Sequence, residues 1–168
     1  MRSSEEIRRL IKDQETDAPC DRAELLLFLA ARAQLVRNVI RPALESGSWV
    51  VCDRFSDSTV AYQGYGRGLP LDLLREANAF ACDGLVPDMT ILLDVAPETA
   101  LARIRHREEA TGTTADRIEL AGDEFHRRLR EGFAAQAKAE PQRIVTIDAN
   151  GTVDEVWEAV WKSTRRFL

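Results

Sequence analysis

The sequence predicts an α/β protein, a parallel sheet with helices layered on both of its faces. Three observations carry this. Short apolar runs meeting an acidic residue recur at Trp49-Val50-Val51-Cys52-Asp53, Thr90-Ile91-Leu92-Leu93-Asp94-Val95 and Arg143-Ile144-Val145-Thr146-Ile147-Asp148. Runs apolar along their whole length suit strands covered on both sides. Helical patterns separate these runs, and strands alternating with helices form parallel sheets. The 168 residues, 45% hydrophobic and 30% charged, match one globular domain with a real core rather than a disordered chain. No repeat, low-complexity tract or Pro/Gly/Ser linker divides it, so residues 1–168 are expected to form a single domain.

Taken in order, Ile7, Leu10 and Ile11 keep helical spacing behind Ser4, a suitable N-cap followed by Glu5 and Glu6. Asp21, with Glu24 three residues on, predicts a capping-box-like opening to a long helix from about Arg22 to Leu44. Pro42 and Gly47 mark where that helix bends and stops. The strand at Trp49–Cys52 follows. Further helices are expected at about Leu71–Cys82, Pro97–Glu109 and Asp123–Ala139. A last helix starts at Thr152, with Glu155 completing a second capping box, and sets Val153, Val156, Trp157, Val160 and Trp161 on one apolar face.

Lys and Arg number 23 against 28 Asp and Glu, a formal charge of −5. This balance argues against a general nucleic-acid binder, whose phosphate contacts favour a basic surface, but leaves room for a local arginine cluster holding one phosphate. The longest apolar stretch, Leu25 to Ala31, falls far short of the roughly 20 residues that span a bilayer. The first residues, Met1 to Glu6, do not read as a secretory signal. Cys20, Cys52 and Cys82 suit neither a disulfide framework nor a metal centre, and read as reduced, buried or half-buried thiols of a cytoplasmic protein. His106 and His126 read as solvent-facing helix residues.

In open parallel sheets ligands collect beyond the C-terminal ends of the strands. There the chain places Asp53-Arg54 and then Phe55-Ser56-Asp57-Ser58-Thr59-Val60-Ala61-Tyr62-Gln63-Gly64-Tyr65-Gly66-Arg67-Gly68. Arg54 offers a planar fork of donors that fits a phosphate. Asp53 suits a hydrated Mg²⁺, which prefers few carboxylates, several waters and substrate phosphate oxygens. Ser58, Thr59, Tyr62 and Gln63 supply hydroxyl and amide groups able to read a base or sugar edge. Gly64, Gly66 and Gly68 permit a compact turn. The bland alternative is a surface ion pair followed by an ordinary loop.

Asp53-Arg54-Phe55 followed by Ser58-Thr59-Val60-Ala61-Tyr62-Gln63-Gly64 resembles the signature of bacterial thymidylate kinases, Asp-Arg-Tyr or a variant before Ser-x-x-Ala-Tyr-Gln-Gly. The segment Ala23 to Gln34 is similar to that family's acceptor-site helix, Pro87 to Val95 to its fourth strand, and Asp116-Arg117-Ile118-Glu119 with Phe125 to the end of its lid. The resemblance implies a three-layer nucleoside-monophosphate-kinase fold of the P-loop NTPase type. It implies transfer of the ATP γ-phosphoryl group to dTMP to give dTDP, a step toward dTTP, with Mg²⁺, in a homodimer. Taken alone, Phe28 reads as core packing and Arg32 as a solvated helix position. The resemblance implies instead that Phe28 stacks on thymine and Arg32 donates to a base carbonyl. It further implies that Arg54 holds the acceptor phosphate, Thr59 and Gln63 contact the base, and Tyr62 lies against the deoxyribose.

Arg103, Arg105, His106 and Arg107 close a helix leading into Ala110-Thr111-Gly112-Thr113-Thr114-Ala115. Alone, this is a solvated basic helix end beside Glu108 and Glu109. The resemblance implies a lid over about residues 103–119 in which Arg107 and Arg117, with Arg103 behind them, stabilise the transferring phosphoryl group. Leu26, Leu29, Val36 and Val39 could serve an isologous contact between subunits or be covered within one.

One departure is large. No stretch carries Gly-x-x-x-x-Gly-Lys-Ser/Thr, whose amides and lysine cradle donor phosphates, nor the family's Glu-Pro-Gly-Gly segment. The expectation is therefore a chain matching the family from after its first two strands and phosphate loop, inactive alone. It also follows that the Trp49–Cys52 strand needs a new neighbour or leaves an unpaired apolar edge. The alternatives are a kinase for another nucleoside monophosphate, which Ser58 and Tyr62-Gln63 speak against, or a non-catalytic nucleotide-binding or dimerising remnant.

Overall fold

The computed structural model of the chain describes residues 7, 19–112 and 122–167. The described residues fall into two compact units, the first of residues 19–86 and 122–133, the second of 87–112 and 134–167. Apart from Ile7, the expected N-terminal helix lies outside them.

The first unit opens with α1 (Asp21–Leu35), rich in the strong helix formers Leu, Ala, Glu and Arg. The expected long helix continues, but not uniformly. A π-helical turn at Val36–Ile40 precedes α2 (Arg41–Glu45). Pro42 is the physical reason: it lacks an N–H, and its ring would press on the carbonyl one α-turn back. In the widened turn the Arg41 amide donates to Val36 O, so the bonding shifts by one residue just ahead of the proline. Gly47, at φ +76°, lets the chain leave the helix.

The capping box expected at Asp21 does not form. Cys20 is the cap and offers no side-chain bond, and Glu24 turns inward instead. A buried ion-pair partner outcompetes a cap that exposed backbone amides can replace with water.

The strand expected at Trp49–Cys52 is not a strand either. The described residues contain one sheet, of two parallel strands, β1 (Thr90–Asp94) and β2 (Ile144–Asp148), in place of the three strands predicted. A strand needs a ladder partner, and a parallel one needs cover on both faces. Residues 49–52 have no ladder and cover only at the half-buried Val50, while Val51 is 95% exposed. The thiols also divide. Cys82 is buried as expected, whereas Cys20 and Cys52 are exposed.

Beyond Phe55 the chain is helical where a loop was the bland alternative. A single turn, α3 (Ser56–Thr59), runs into a π-helical segment over Val60–Gly66. Arg67 N–H bonds to Tyr62 O at 3.0 Å, five residues back, and Gly68, at φ +78°, turns the chain toward α4 (Leu71–Ala81). Leu25 and Leu29 of α1 pack on Leu74 and Ala81 of α4. Val36 and Ile40 pack with Cys82, Phe55 and Val50, and Ala61 packs with Phe125 and Leu129. Leu29 and Val36 are therefore core, whereas Leu26 and Val39 remain exposed.

In the second unit β1 and β2 pair from Thr90↔Ile144 to Asp94↔Asp148. Helix α5 (Pro97–Thr111) ends at Gly112, at φ +64°. Of helix α6 (Asp123–Ala139), the residues from Ala134 belong to this unit. Helix α7 (Val153–Thr164) starts with the Thr152–Glu155 capping box in full. On its apolar face Val156 and Val160 are half-buried, while Trp157 and Trp161 stack at 6.1 Å and stay largely exposed.

Candidate functional site

The first unit gathers most of the polar residues singled out in the sequence. Arg54 stands at φ +63°, a left-handed conformation that a non-glycine residue adopts only when its surroundings impose it. Its Nη1 donates to the Tyr62 hydroxyl, and its guanidinium carbon lies 4.9 Å from the centroid of that ring. Tyr62 in turn meets Phe125 and Phe133 edge-on, each with centroids 6.2 Å away. The exposed guanidinium of Arg54 is thus seated on an aromatic platform with a firm backing.

Arg32 is half-buried one helical turn beyond the half-buried Phe28. Its Nη1 donates to Asn78 Oδ1 at 2.6 Å and its Nη2 to the Phe55 carbonyl at 3.1 Å, with the guanidinium 5.6 Å from the Phe55 ring centroid. Asn78 Nδ2 donates to the Ser56 carbonyl at 3.2 Å. Arg32 and Asn78 together therefore hold the carbonyls of Phe55 and Ser56 where the signature helix starts. A guanidinium has five N–H donors, so these two bonds leave others for a ligand. Burial lowers the Arg32 pKa, and the nearby Cys82, Cys52 and Asp57 oppose that shift. Desolvation by neighbouring atoms raises the Cys52 and Cys82 thiols against the pull of the Arg32 charge, so neither is an activated nucleophile.

Thr59 and Gln63 sit one turn apart and are each 2% exposed. The Thr59 hydroxyl oxygen is buried with no hydrogen-bond partner. Gln63 Nε2 donates to Glu24 Oε1 at 3.0 Å, and Arg67 pairs with the same carboxylate, Nη2 to Oε2 at 3.4 Å. Arg67 also lies 5.0 Å from the centroid of Phe125. Ser58 is half-buried and Asp53 exposed.

Arg103 and Arg107 belong to the second unit, exposed on α5, where Arg103 Nη2 donates to the Gly151 carbonyl at 2.9 Å. Arg117 lies outside the described residues.

The structure thus groups Phe28, Arg32, Arg54, Ser58, Thr59, Tyr62 and Gln63 in one unit. Sequence reasoning missed Asn78, Glu24 and Arg67. Asn78 had a signal: it interrupts the apolar 74–78–81 stripe of α4, a position that a polar residue occupies only with a partner. Arg67 had none, because its role depends on where Glu24 points.

Gly64 and Gly66 lie against side chains of the core rather than in a left-handed turn. A Cβ at Gly64 would lie 2.6 Å from Leu71 Cδ2, and one at Gly66 would lie 2.5 Å from Phe125 Cε2.

A family model described as thymidylate kinase matches residues 2–160. A thymidylate kinase of Solidesulfovibrio magneticus is 52% identical over 164 residues, covering 96% of this chain and 78% of that protein. One of Pelobacter propionicus is 46% identical over 158 residues, covering 94% of this chain and 72% of that protein. The crystal structure of thymidylate kinase from Ehrlichia chaffeensis superposes with a TM-score of 0.71 at 32% identity, covering 96% of this chain and 72% of that one.

Proposed function

The chain belongs to the thymidylate kinase family, with its nucleoside-monophosphate-kinase fold of P-loop type, and from that premise we propose that its first unit forms the dTMP acceptor site. Membership makes it a phosphotransferase of the dTMP kinase class, with ATP as donor. The observation that carries the acceptor reading is the buried Thr59 hydroxyl without a partner. A buried hydroxyl lacking a bond is unfavourable, and a base edge arriving at the site supplies one.

In this reading Phe28 stacks on thymine, and Arg32 donates to a base carbonyl through N–H groups not directed at Asn78 and Phe55. Thr59 and Gln63 meet the base edge, Ser58 adds a hydroxyl, and Tyr62 packs on the deoxyribose. Arg54 grips the monophosphate, its fork matching two phosphate oxygens. The residues act by positioning and by neutralising charge, with no covalent intermediate.

Asp53, an exposed carboxylate, suits Mg²⁺, which takes few carboxylates beside water and phosphate oxygens, and would be the residue that holds it. When bound, the ion neutralises charge on the donor and transferring phosphates. Arg103, Arg107 and Arg117, in a lid over about 103–119, add positive charge to the transferring group and exclude water. We further propose a cytoplasmic homodimer, to which the exposed Leu26 and Val39 contribute.

Within these 168 residues no Gly-x-x-x-x-Gly-Lys-Ser/Thr stretch occurs. A polypeptide of these residues alone is therefore expected to bind dTMP but to transfer phosphate poorly, since arginines cannot replace a cradle of backbone amides. Titrating dTMP while following the Arg54 and Thr59 signals by NMR tests the acceptor site. Unmoved signals in a folded chain would refute it. A coupled assay with ATP, Mg²⁺ and dTMP tests the second statement, and turnover typical of a kinase would overturn it.

A further inference from the structure

Among the described residues Glu24 is the one charged side chain in the buried class, 1% exposed. A carboxylate taken out of water must recover its hydration from donors. Gln63 Nε2 supplies one at 3.0 Å, and Arg67 approaches with Nε to Oε1 at 3.5 Å and Nη2 to Oε2 at 3.4 Å. Arg67 is steadied by Asp21 at 3.5 Å and by the Phe125 ring beneath it. The carboxylate therefore has a fixed seat between a helix and the signature segment, 39 residues away in sequence.

An ionised carboxylate only accepts hydrogen bonds. Gln63 must turn its NH₂ toward Glu24, because the inverted amide would set oxygen against oxygen. The two ends of a glutamine amide are nearly identical in shape, so a glutamine discriminates between ligands only when something determines which end faces them.

We infer that Glu24 is a positioning residue that fixes the polarity of the Gln63 amide, turning its carbonyl oxygen to the base and favouring a pyrimidine with a protonated N3. This rests on the reading of Gln63 as a base contact and deepens it. Thymine carries N3–H and meets the carbonyl with a donor. Cytosine presents a lone pair at N3, which leaves two acceptors face to face in a dry site. Glu24→Gln keeps the shape but not the polarity, and the Gln63 amide becomes free to invert.

The full chain, Glu24→Gln, Glu24→Asp and Gln63→Ala are titrated with dTMP and with dCMP by calorimetry. The parent is expected to prefer dTMP. Glu24→Gln should lower the dTMP/dCMP affinity ratio by about tenfold, and Glu24→Asp, which keeps the acceptor, should preserve most of it. Loosened structure alone lowers both affinities together and leaves the ratio in place, and that result overturns the inference. If Gln63→Ala leaves the parent ratio intact, the base-contact reading itself fails. If Gln63→Ala lowers the ratio and Glu24→Gln does not, only the role of Glu24 fails. A measurement on the parent needs no variant protein to fold. The Gln63 carboxamide protons should stay slow to exchange when dTMP is added, and loss of that protection on binding also overturns the inference.

Discussion

The Arg54 guanidinium lies 4.9 Å from the Tyr62 ring centroid while its Nη1 donates to the hydroxyl of the same residue. The group proposed to grip the phosphate and the residue proposed to lie on the sugar are thus one mechanical unit. The ring supplies a cation–π seat and the hydroxyl sets the rotation of the fork. Arg54→Ala is expected to weaken dTMP binding by about two orders of magnitude, as loss of a charge-assisted bidentate contact should. Tyr62→Phe, which keeps the ring and removes the hydroxyl, should weaken it by about fivefold. Calorimetric titration of both variants checks the ranking.

Thr59→Val removes the buried hydroxyl that has no partner. Replacing an unsatisfied group by an apolar one of the same shape should leave stability unchanged or raise it by about 1 kcal/mol. Affinity for dTMP should fall by about tenfold. Urea unfolding and dTMP titration on the same variant separate the two effects, and a variant that loses stability contradicts the assignment.

Gly132 lies under Tyr65, where an added Cβ would stand 2.7 Å from the ring. Gly132→Ala is expected to destabilise the first unit by about 1–3 kcal/mol, the usual range for overpacking. Gly122→Ala meets nothing within 4 Å and serves as the control, expected within about 0.5 kcal/mol of the parent. Chemical denaturation measures both.

Arg67→Met keeps the stem and removes the charge that faces Glu24. Removing one partner of a buried ion pair should cost about 3 kcal/mol. By contrast Arg75, exposed and paired with the exposed Asp72, should change stability by under about 1 kcal/mol when replaced by Met. Parallel urea curves for the two variants test the contrast.

Acid should loosen the start of α7. The Thr152 backbone amide and hydroxyl hold the Glu155 carboxylate below its ordinary value of 4.5, and the Asn150 backbone and side-chain amides hold Asp148 below its own. A folded-state value below the unfolded one means that the stabilisation is full above the unfolded value. It is lost as pH falls through the depressed one. NMR titration should therefore show Glu155 protonating below pH 4.5 in the parent and nearer that value in Thr152→Ala.

How much was legible in the sequence varied with the range of the interaction. The Thr152–Glu155 box is formed within one turn, and its pattern suffices. Asp21 with Glu24 shows the same local pattern, yet Glu24 is drawn to Gln63 and Arg67, partners that no local rule can foresee. The run Trp49–Cys52 has strand composition, but composition supplies no neighbour, and without a ladder it stays irregular. Residue type and strand-end placement point to Arg54, Thr59, Tyr62 and Gln63 as candidates, and only the family resemblance points to Phe28 and Arg32. Their second partners, Asn78 and Arg67, were missed.

By itself the sequence determined the family and the helices α1, α4, α5, α6 and α7, because motif and periodicity are properties of neighbouring residues. Only the tertiary structure decided that the signature winds into a π-helical turn, that Arg54 rests on Tyr62 and that Glu24 holds Gln63. Those facts depend on how segments distant in sequence share buried space, where an unpaired polar group is too unfavourable to leave alone.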